Sequence, residues 1–286
     1  VINGVAKKTG SALVGKICAV IFSPEHLLLI KDGPAGRRSF IDGAICQINP
    51  GYPKLLTKYN RVIVQRNAML REMQKTSGLE EMLEIWNERA VHFGTEIINK
   101  RIAYMKSLSP AAEEIYFGIS GEQEEFRIDY KPLGLTTEEW QKSPEESYHL
   151  ALKRSQKTDQ RLGVTGFGPH RDDLEIFISG LSARIYGSQG QQRSAVIAMK
   201  LGEAEVLEKN IGEPPLILLD DVMSELDQKR QDYILNRLFG RQIFITCCTL
   251  DTLGLMKKGK QFHVVSGVVE EQKSEEKDVV SCSTFI

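Results

Sequence analysis

The sequence predicts an α/β protein that combines a parallel sheet with a second, helical lobe. Leu216–Leu219 is a short, unbroken apolar run and Gln242–Cys247 is a second, mostly apolar one. Such runs are typical of strands buried on both faces of a parallel sheet. Between Pro53 and Leu108 apolar residues recur at helical spacing, with a polar break at Gln74–Gly78. This pattern predicts two helices that fold back as an antiparallel hairpin.

The composition is that of an ordinary soluble globular protein. The 286 residues are 41% hydrophobic and 26% charged, and the formal net charge is −1. Without a global basic field, any nucleic-acid surface must be a local patch. No apolar run is long enough to span a membrane, and the five scattered cysteines form no Cys-x-x-Cys pair. We therefore expect a cytoplasmic protein with no membrane partner and no zinc site.

The first part of the chain predicts a strand followed by helices. Lys16–Phe22 is a buried-strand candidate, and Ser23-Pro24-Glu25 ends it because proline cannot continue the ladder. A helix is expected to open at Gly36–Asp42. After the hairpin, Ile115–Ser120 and Glu125–Tyr130 predict two antiparallel strands.

The second part alternates strands with helices. A helix is expected from Ser143 to about Leu162, because Pro144 and two acids follow the serine. The further predicted elements are strands at Leu174–Ile178, Arg184–Tyr186 and Phe262–Val269, an amphipathic helix at Ala195–Lys209, and a helix at Lys229–Leu238.

Two carboxylates, Asp220 and Asp221, follow Leu216–Leu219 at the carboxyl end of the predicted strand. Open α/β sheets bind ligands at this end, and adjacent acids there are costly to desolvate unless they serve a cation or a reaction. This is the form of a Walker B strand, in which Asp220 would hold Mg²⁺ and Asp221 would polarise the attacking water. The alternative is a strand followed by an acidic helix cap.

The stretch Ser188–Arg193 reads Ser-Gln-Gly-Gln-Gln-Arg and lies at a predicted helix N-terminus. Free backbone amides and the positive end of the helix dipole make such a position suitable for phosphate. Gly190 allows close backbone approach, and Ser188 adds a hydroxyl donor. A plain capped helix is the alternative interpretation.

In order and spacing, this loop, its helix, the acidic strand and Ser224-Glu225-Leu226-Asp227 resemble the head of the ATP-binding-cassette ATPases. The resemblance implies that Ser188, Gly190 and Gln191 of one subunit close over the γ-phosphate of ATP held by another. It also implies that Asp227 belongs to a D-loop that crosses the same interface. The expected fold is an ABC/SMC-type ATPase head, with a P-loop NTPase-like sheet and helices, plus a helical second lobe.

Five stretches in the same order resemble the RecF family, bacterial recombination mediators built on an SMC-like ATPase head. They are Phe22–Leu27, Gly36–Asp42, Gly168–Leu174, Ser188–Arg193 and Leu218–Asp227. On this resemblance, residues 1–35 are part of ATPase lobe I and residues 36–162 form the helical lobe II with a small β insertion. Residues 163–269 complete the ATPase lobe, and residues 270–286 form a disordered tail.

The resemblance implies ATP and Mg²⁺ as cofactors and a role in recombinational repair and replication restart. An ATP-dependent homodimer would bind single-stranded or gapped duplex DNA and help load recombinase through RecO- and RecR-like mediators. Two alternatives stay open: another ABC-type head, SMC-like or from a transporter, and a non-catalytic interaction fragment.

The sequence departs from the family pattern at two places. No Gly-x-x-Gly-x-Gly-Lys-Thr/Ser phosphate loop occurs, and the nearest strings are Lys8-Thr9-Gly10 and Gly15-Lys16. On the family pattern we expect a further N-terminal segment and no ATP hydrolysis by this chain alone. After the last strand of the sheet, Cys247-Cys248-Thr249 stands where ABC heads usually have a histidine, which makes Thr249 the candidate γ-phosphate sensor.

Three arginines are candidates for contact with DNA. Arg37 and Arg38 lie at the start of a predicted helix, where the helix dipole prefers anions. They could contact phosphate or bridge to nearby acids. Arg171 and its neighbour His170 could face nucleotide or DNA, or could be strand-end residues paired with acids.

Overall fold

The computed structural model describes residues 17–132, 140, 142–223, 226–247 and 259–272. In chain order the strands and helices are β1 (Ala19–Phe22), α1 (Leu28–Lys31), α2 (Pro34–Ile48), α3 (Tyr52–Glu72), α4 (Glu80–Ile119), β2 (Phe126–Lys131), α5 (Pro144–Leu162), β3 (Asp173–Ile178), β4 (Leu181–Ser182), α6 (Ala183–Tyr186), α7 (Gln189–Ile211), β5 (Leu216–Asp220), α8 (Gln228–Arg237), β6 (Ile243–Thr246), β7 (Gln261–Val265) and β8 (Val268–Gln272). None of these helices is long and apolar enough to cross a membrane.

A parallel sheet carries the acidic strand at its centre. The order is β1-β5-β6, and both neighbours of β5 run parallel to it. The strand predicted from the apolar run is present, with Ile217 and Leu219 buried on one face and Leu216 and Leu218 only partly buried on the other. The register pairs Leu219 with Phe22 on one side and Asp220 with Thr246 on the other. The strand therefore delivers its first carboxylate to the carboxyl edge of the sheet.

Helix α7 packs against β1 and ends at Gly212, which adopts the left-handed conformation (φ +84°) that favours glycine at a helix end. The sequence predicts an amphipathic helix here, but residues 194–204 are all buried. That burial includes a charged pair, Lys200 and Glu203, whose Nζ and Oε2 atoms lie 2.5 Å apart. This part of the helix has no solvent face, so the expected amphipathic pattern is wrong over residues 194–204 and exposure returns only near the end of the helix.

The helical hairpin consists of α3 and the first part of α4. Its turn is closed by a cluster of apolar residues in which Leu70, Met73 and Leu83 are buried. Helix α4 continues past Pro110 to Ile119, so the strand expected at Ile115–Ser120 is wrong. Buried positions along this part of the chain recur three and four residues apart, which is helical spacing and not strand alternation. They are Met105, Leu108, Ala112, Ile115, Tyr116 and Ile119.

Strands β2, β3 and β4 form a second sheet in that order, and β7 and β8 form an antiparallel hairpin. The single strand expected at Phe262–Val269 is divided by the turn Ser266–Gly267, where both residues have positive φ, +49° and +81°. Two such residues make the tight turn that suits a two-residue hairpin. Glu270–Gln272 lie in β8, although the sequence assigns them to the tail; residues 273–286 lie outside the described ranges.

The described residues divide into two compact units. The sheet unit lies within residues 1–31, 110–127 and 178–286, and the helical unit within residues 32–109 and 128–177. This division differs from the predicted lobes, since residues 163–177 group with the helices and residues 110–127 group with the sheet. The reason is visible in two contacts inside the helical unit: Arg101 donates to the Pro169 carbonyl at 2.6 Å, and Tyr59 Oη lies 2.7 Å from His170 Nδ1.

Candidate functional site

The carboxyl end of β5 places two acids beside a hydroxyl group. Asp220, the last residue of the strand, is exposed and lies next to Thr246 in the neighbouring strand β6. The Thr246 hydroxyl donates a hydrogen bond to Asp220 Oδ1 at 2.6 Å. One oxygen of the Asp220 carboxylate is thereby oriented by the sheet, at an exposed strand end. Parallel register brings these two side chains together, although 26 residues separate them in sequence.

Asp221 adopts a left-handed backbone conformation, with φ +50°. Such a conformation is uncommon outside glycine and is held only where the surroundings fix it. Here the Asp221 amide donates to the Thr246 carbonyl and to the Thr246 hydroxyl, both at 3.2 Å. Thr246 therefore contacts both acids. Sequence reasoning missed it, and the signal that could have found it is a hydroxyl residue at the carboxyl end of the adjacent predicted strand.

The loop before α7 forms a capping box. Ser188 Oγ accepts from the Gln191 amide at 3.2 Å, and the Ser188 amide donates to Gln191 Oε1 at 2.8 Å. The Gln191 side chain also donates to Glu124 Oε1 at 2.6 Å, and Tyr116 donates to the other oxygen of Glu124 at 2.8 Å. These contacts hold the loop rigidly at the helix N-terminus, whichever of the two interpretations of Ser188–Arg193 holds.

Arg230 lies between this loop and the segment that contains Asp227. Asp227 is the N-cap of α8: its Oδ1 accepts from the Arg230 amide at 3.1 Å, and its Oδ2 lies 3.0 Å from Arg230 Nη1. A Cβ atom added at Gly190 would lie 3.6 Å from the same Nη1. Gly190 and Asp227 are thus gathered around one guanidinium group, which the sequence analysis did not single out. Ser224, Glu225 and Thr249 lie outside the described residues.

No cluster of three or more metal-ligating side chains occurs in the part of the chain that the structure describes. Mg²⁺ in nucleotide-dependent enzymes is usually held by one or two carboxylates together with substrate phosphates and water. Asp220 fits that donor set, since its carboxylate is exposed at a strand end and oriented by Thr246.

The three candidate arginines lie in the helical unit, and their surroundings differ. Arg37 is only 3% exposed and forms a bidentate pair with Asp173, at 2.7 and 2.9 Å, while its Nη1 donates to the Asp32 carbonyl at 2.8 Å. These bonds engage the guanidinium within the fold, and we do not include Arg37 in the proposed DNA surface. Arg38 is partly buried and donates to the Asp172 carbonyl at 2.8 Å.

Arg171 and His170 lie on the turn before β3. Arg171 is exposed and donates to the Thr165 carbonyl at 3.2 Å. His170 lies between Tyr59 and the same carbonyl, and burial lowers its pKa to about 4. The imidazole is therefore neutral near pH 7. His170 is part of the packing of the helical unit, whereas Arg171 keeps its guanidinium at the surface.

Comparisons with known proteins decide the family. No family model matches the chain. The DNA replication and repair protein RecF of Lachnoclostridium phytofermentans is 38% identical over 272 residues, covering 94% of this chain and 73% of that protein. RecF of Agathobacter rectalis is 39% identical over 271 residues, covering 94% of this chain and 72% of that protein. The chain belongs to the RecF family.

Solved structures agree with this assignment. Two structures of the recombination mediator protein RecF in the RecFOR pathway, described as RecF-ATP and RecF-ATPrS, each align with a TM-score of 0.83 and 35% identity. Each alignment covers 95% of this chain and 72% of the other. The predicted family and the predicted α/β ATPase-head fold are confirmed. The assignments of individual site residues stay predictions.

Proposed function

We propose that this RecF-family chain carries the hydrolytic and dimer-closing parts of an ATP-dependent DNA-repair ATPase. The observation that carries the proposal is the arrangement of Asp220, Asp221 and Thr246 at the carboxyl end of a central parallel strand. An acidic helix cap would not need a hydroxyl of the adjacent strand bound to both residues, and the helix that follows is capped by Asp227 instead. The relatives are DNA replication and repair proteins, and a solved structure of RecF with ATP supports nucleotide binding in this family.

The two acids divide the chemistry. Asp220, whose carboxylate is bound at one oxygen by Thr246, is the residue that would hold Mg²⁺. Mg²⁺ would neutralise charge on the β- and γ-phosphates. Asp221, turned by its left-handed backbone, orients the attacking water toward the γ-phosphate. Thr246 fixes the backbone of Asp221 relative to the carboxylate of Asp220, because it binds the amide of one and an oxygen of the other.

The loop Ser188–Arg193 acts across a dimer interface. The Ser188 hydroxyl accepts from the Gln191 amide, and a hydroxyl can donate its own proton at the same time, so it can bind a phosphate oxygen of the opposing subunit without losing the cap. Gly190 presents backbone with no side chain in the way. Arg230, which pairs with Asp227 and lies near Gly190, would transmit closure between the loop and the D-loop segment.

The DNA-facing role rests on family membership, on the exposed guanidinium of Arg171, and on the partly buried Arg38, which donates to the Asp172 carbonyl. We propose single-stranded or gapped duplex DNA as the ligand, and RecO- and RecR-like proteins as partners in loading recombinase. The RecFOR pathway in the description of the RecF structures supports these partners. Cytoplasmic localisation is part of the same proposal.

The sequence contains no Gly-rich phosphate loop with its lysine. We therefore propose that these 286 residues do not hydrolyse ATP by themselves and that hydrolysis is a property of the complete reading frame. The competing function is a non-catalytic interaction module. Family membership argues against a transporter subunit.

The test uses the complete reading frame that contains this chain, with phosphate release measured in the presence of gapped DNA. Asp221→Asn is expected to abolish turnover while ATP still binds, because the amide cannot act as a base. Asp232→Asn is the matched control, since Asp232 is exposed on α8 and accepts only from Gln228 among the hydrogen bonds described. Turnover in Asp221→Asn close to that of the parent would remove the catalytic assignment and favour the interaction module.

A further inference from the structure

The helical hairpin carries a groove that the ATPase chemistry does not use. A cavity of about 790 Å³ lies between α3 and α4. Its apolar surface comes from Val62 and Val64 on α3 and from Trp86 and Phe93 on α4. Val64 is 60% exposed, and both aromatic rings are only half-buried. Trp86 and Phe93 are seven residues apart, so they lie on one face of their helix.

Cations surround this apolar surface. Lys58 and Arg61 line the groove from α3, and Arg89 lines it from α4; all three are exposed. Lys58 Nζ lies 5.7 Å from the centre of the Phe93 ring, and the Arg89 guanidinium carbon lies 5.1 Å from the centre of the Trp86 ring. No acidic side chain is among the described residues that line the groove. The groove is therefore apolar at its base and positive at its rim.

We propose that this groove is a docking site for an acidic amphipathic helix of a partner protein. A third helix fits between two antiparallel helices and buries its apolar face in such a groove. Its carboxylates would pair with the rim cations, and rim charges of opposite sign steer association and fix register.

The cation–ring geometry favours a carboxylate-bearing partner over nucleic acid. The donors of a guanidinium lie in its plane, so Arg89 can bind a carboxylate at its edge while it remains over Trp86. A base that stacked on the same face of either ring would have to displace Lys58 or Arg89. An acidic helix keeps both cation–ring contacts and adds ion pairs to them.

The probe is a fluorescein-labelled synthetic peptide of about 14 residues, with Leu and Phe on one helical face and Glu on the other. Its binding to the whole chain is measured by fluorescence anisotropy. We expect saturable binding that weakens at least about tenfold in the variant Lys58→Glu/Arg61→Glu/Arg89→Glu. The control variant Lys75→Glu/Lys153→Glu/Lys157→Glu has the same change in charge at exposed residues outside the groove and should bind like the parent.

A second readout locates the peptide. The chain has two tryptophans, and Trp140 is buried with its Nε1 donating to Asn99. In Trp140→Phe the remaining tryptophan, Trp86, should shift its emission when the peptide binds. In the parent chain, replacing Trp86 by alanine should weaken peptide binding and leave the fluorescence emission of the buried Trp140 unchanged.

Four outcomes would overturn the proposal. Equal binding of a scrambled peptide would mean attraction by charge alone, and equal binding by the two triple variants would place the peptide elsewhere. Displacement of the peptide by a single-stranded oligonucleotide of about 20 nucleotides would make the groove a nucleic-acid surface. Absence of saturable binding up to about 1 mM peptide would mean that the groove is not a docking site.

Discussion

Replacing Thr246 by valine is the sharpest test of the candidate site, because it removes one hydroxyl and keeps the shape of the side chain. The hydroxyl donates to Asp220 Oδ1 at 2.6 Å and accepts from the Asp221 amide at 3.2 Å. A hydrogen bond to a charged group contributes about 1.5–3 kcal/mol, and the exposure of Asp220 favours the lower end. If the transition state needs this orientation of Asp220, a loss of about 1.5 kcal/mol lowers kcat about tenfold.

The assay is steady-state ATP hydrolysis by the complete reading frame, measured over a range of Mg²⁺ concentrations. The Thr246→Val variant should have a lower kcat and should need a higher Mg²⁺ concentration for half-maximal rate. Both effects are expected because the Asp220 carboxylate is no longer held in place. Thr246→Ser keeps the hydroxyl and should recover most of the rate. Thr76→Val, at an exposed threonine of the helical unit, controls for the substitution itself.

The reasoning would be refuted if Thr246→Val kept the rate and the Mg²⁺ dependence of the parent. It would also be refuted if the serine and valine variants lost activity equally, because the hydroxyl would then not be the group that matters. Thermal denaturation of each variant separates these outcomes from simple unfolding.

Three further predictions concern the interface, the core and pH. Ser188→Arg removes a helix cap that contributes about 1 kcal/mol, so the protein should still fold. Light scattering should show that ATP no longer drives dimerisation of this variant. If the variant dimerises with ATP as the parent does, Ser188 serves only as a helix cap. Asp159→Ala leaves the fully buried Arg66, 2.8 Å away, without its carboxylate partner. The free energy of unfolding measured in urea should fall by about 3–5 kcal/mol. A loss of stability no larger than that of the exposed control Asp232→Ala would contradict this prediction. Burial lowers the pKa of His170 to about 4 in the folded protein. The unfolded chain therefore binds this proton more tightly than the folded one. The free energy of unfolding should be constant above about pH 6.5 and should fall as the pH drops toward 4. Between pH 7 and pH 5 the loss should be about 2 kcal/mol and should shrink in His170→Gln; an equal loss in both chains would assign the effect to other groups.

Local patterns predict much of this fold. The apolar run at Leu216–Leu219 predicts β5 because a central parallel strand is buried on both faces, and the polar break at Gln74–Gly78 predicts the hairpin turn between α3 and α4. The wrong secondary-structure predictions concern short segments whose apolar residues fit both helical and strand spacing. Ile115–Ser120 lies mostly at the end of a long helix, and Arg184–Tyr186 lies in the short helix α6. A few apolar residues cannot separate helical from strand spacing unless their buried neighbours are known.

The sequence by itself determined the family, the order of loop, helix and acidic strand, and the two carboxylates at the end of β5. The tertiary structure alone decided which distant residues meet. Thr246 reaches Asp220 because their two parallel strands pair in that register. Arg230 pairs with Asp227 and lies near Gly190 because the N-termini of two helices lie close together. Arg37 is withdrawn from the surface by Asp173, a residue 136 positions away. Register and burial depend on contacts between segments far apart in the chain, and a pattern read along one segment carries no information about them.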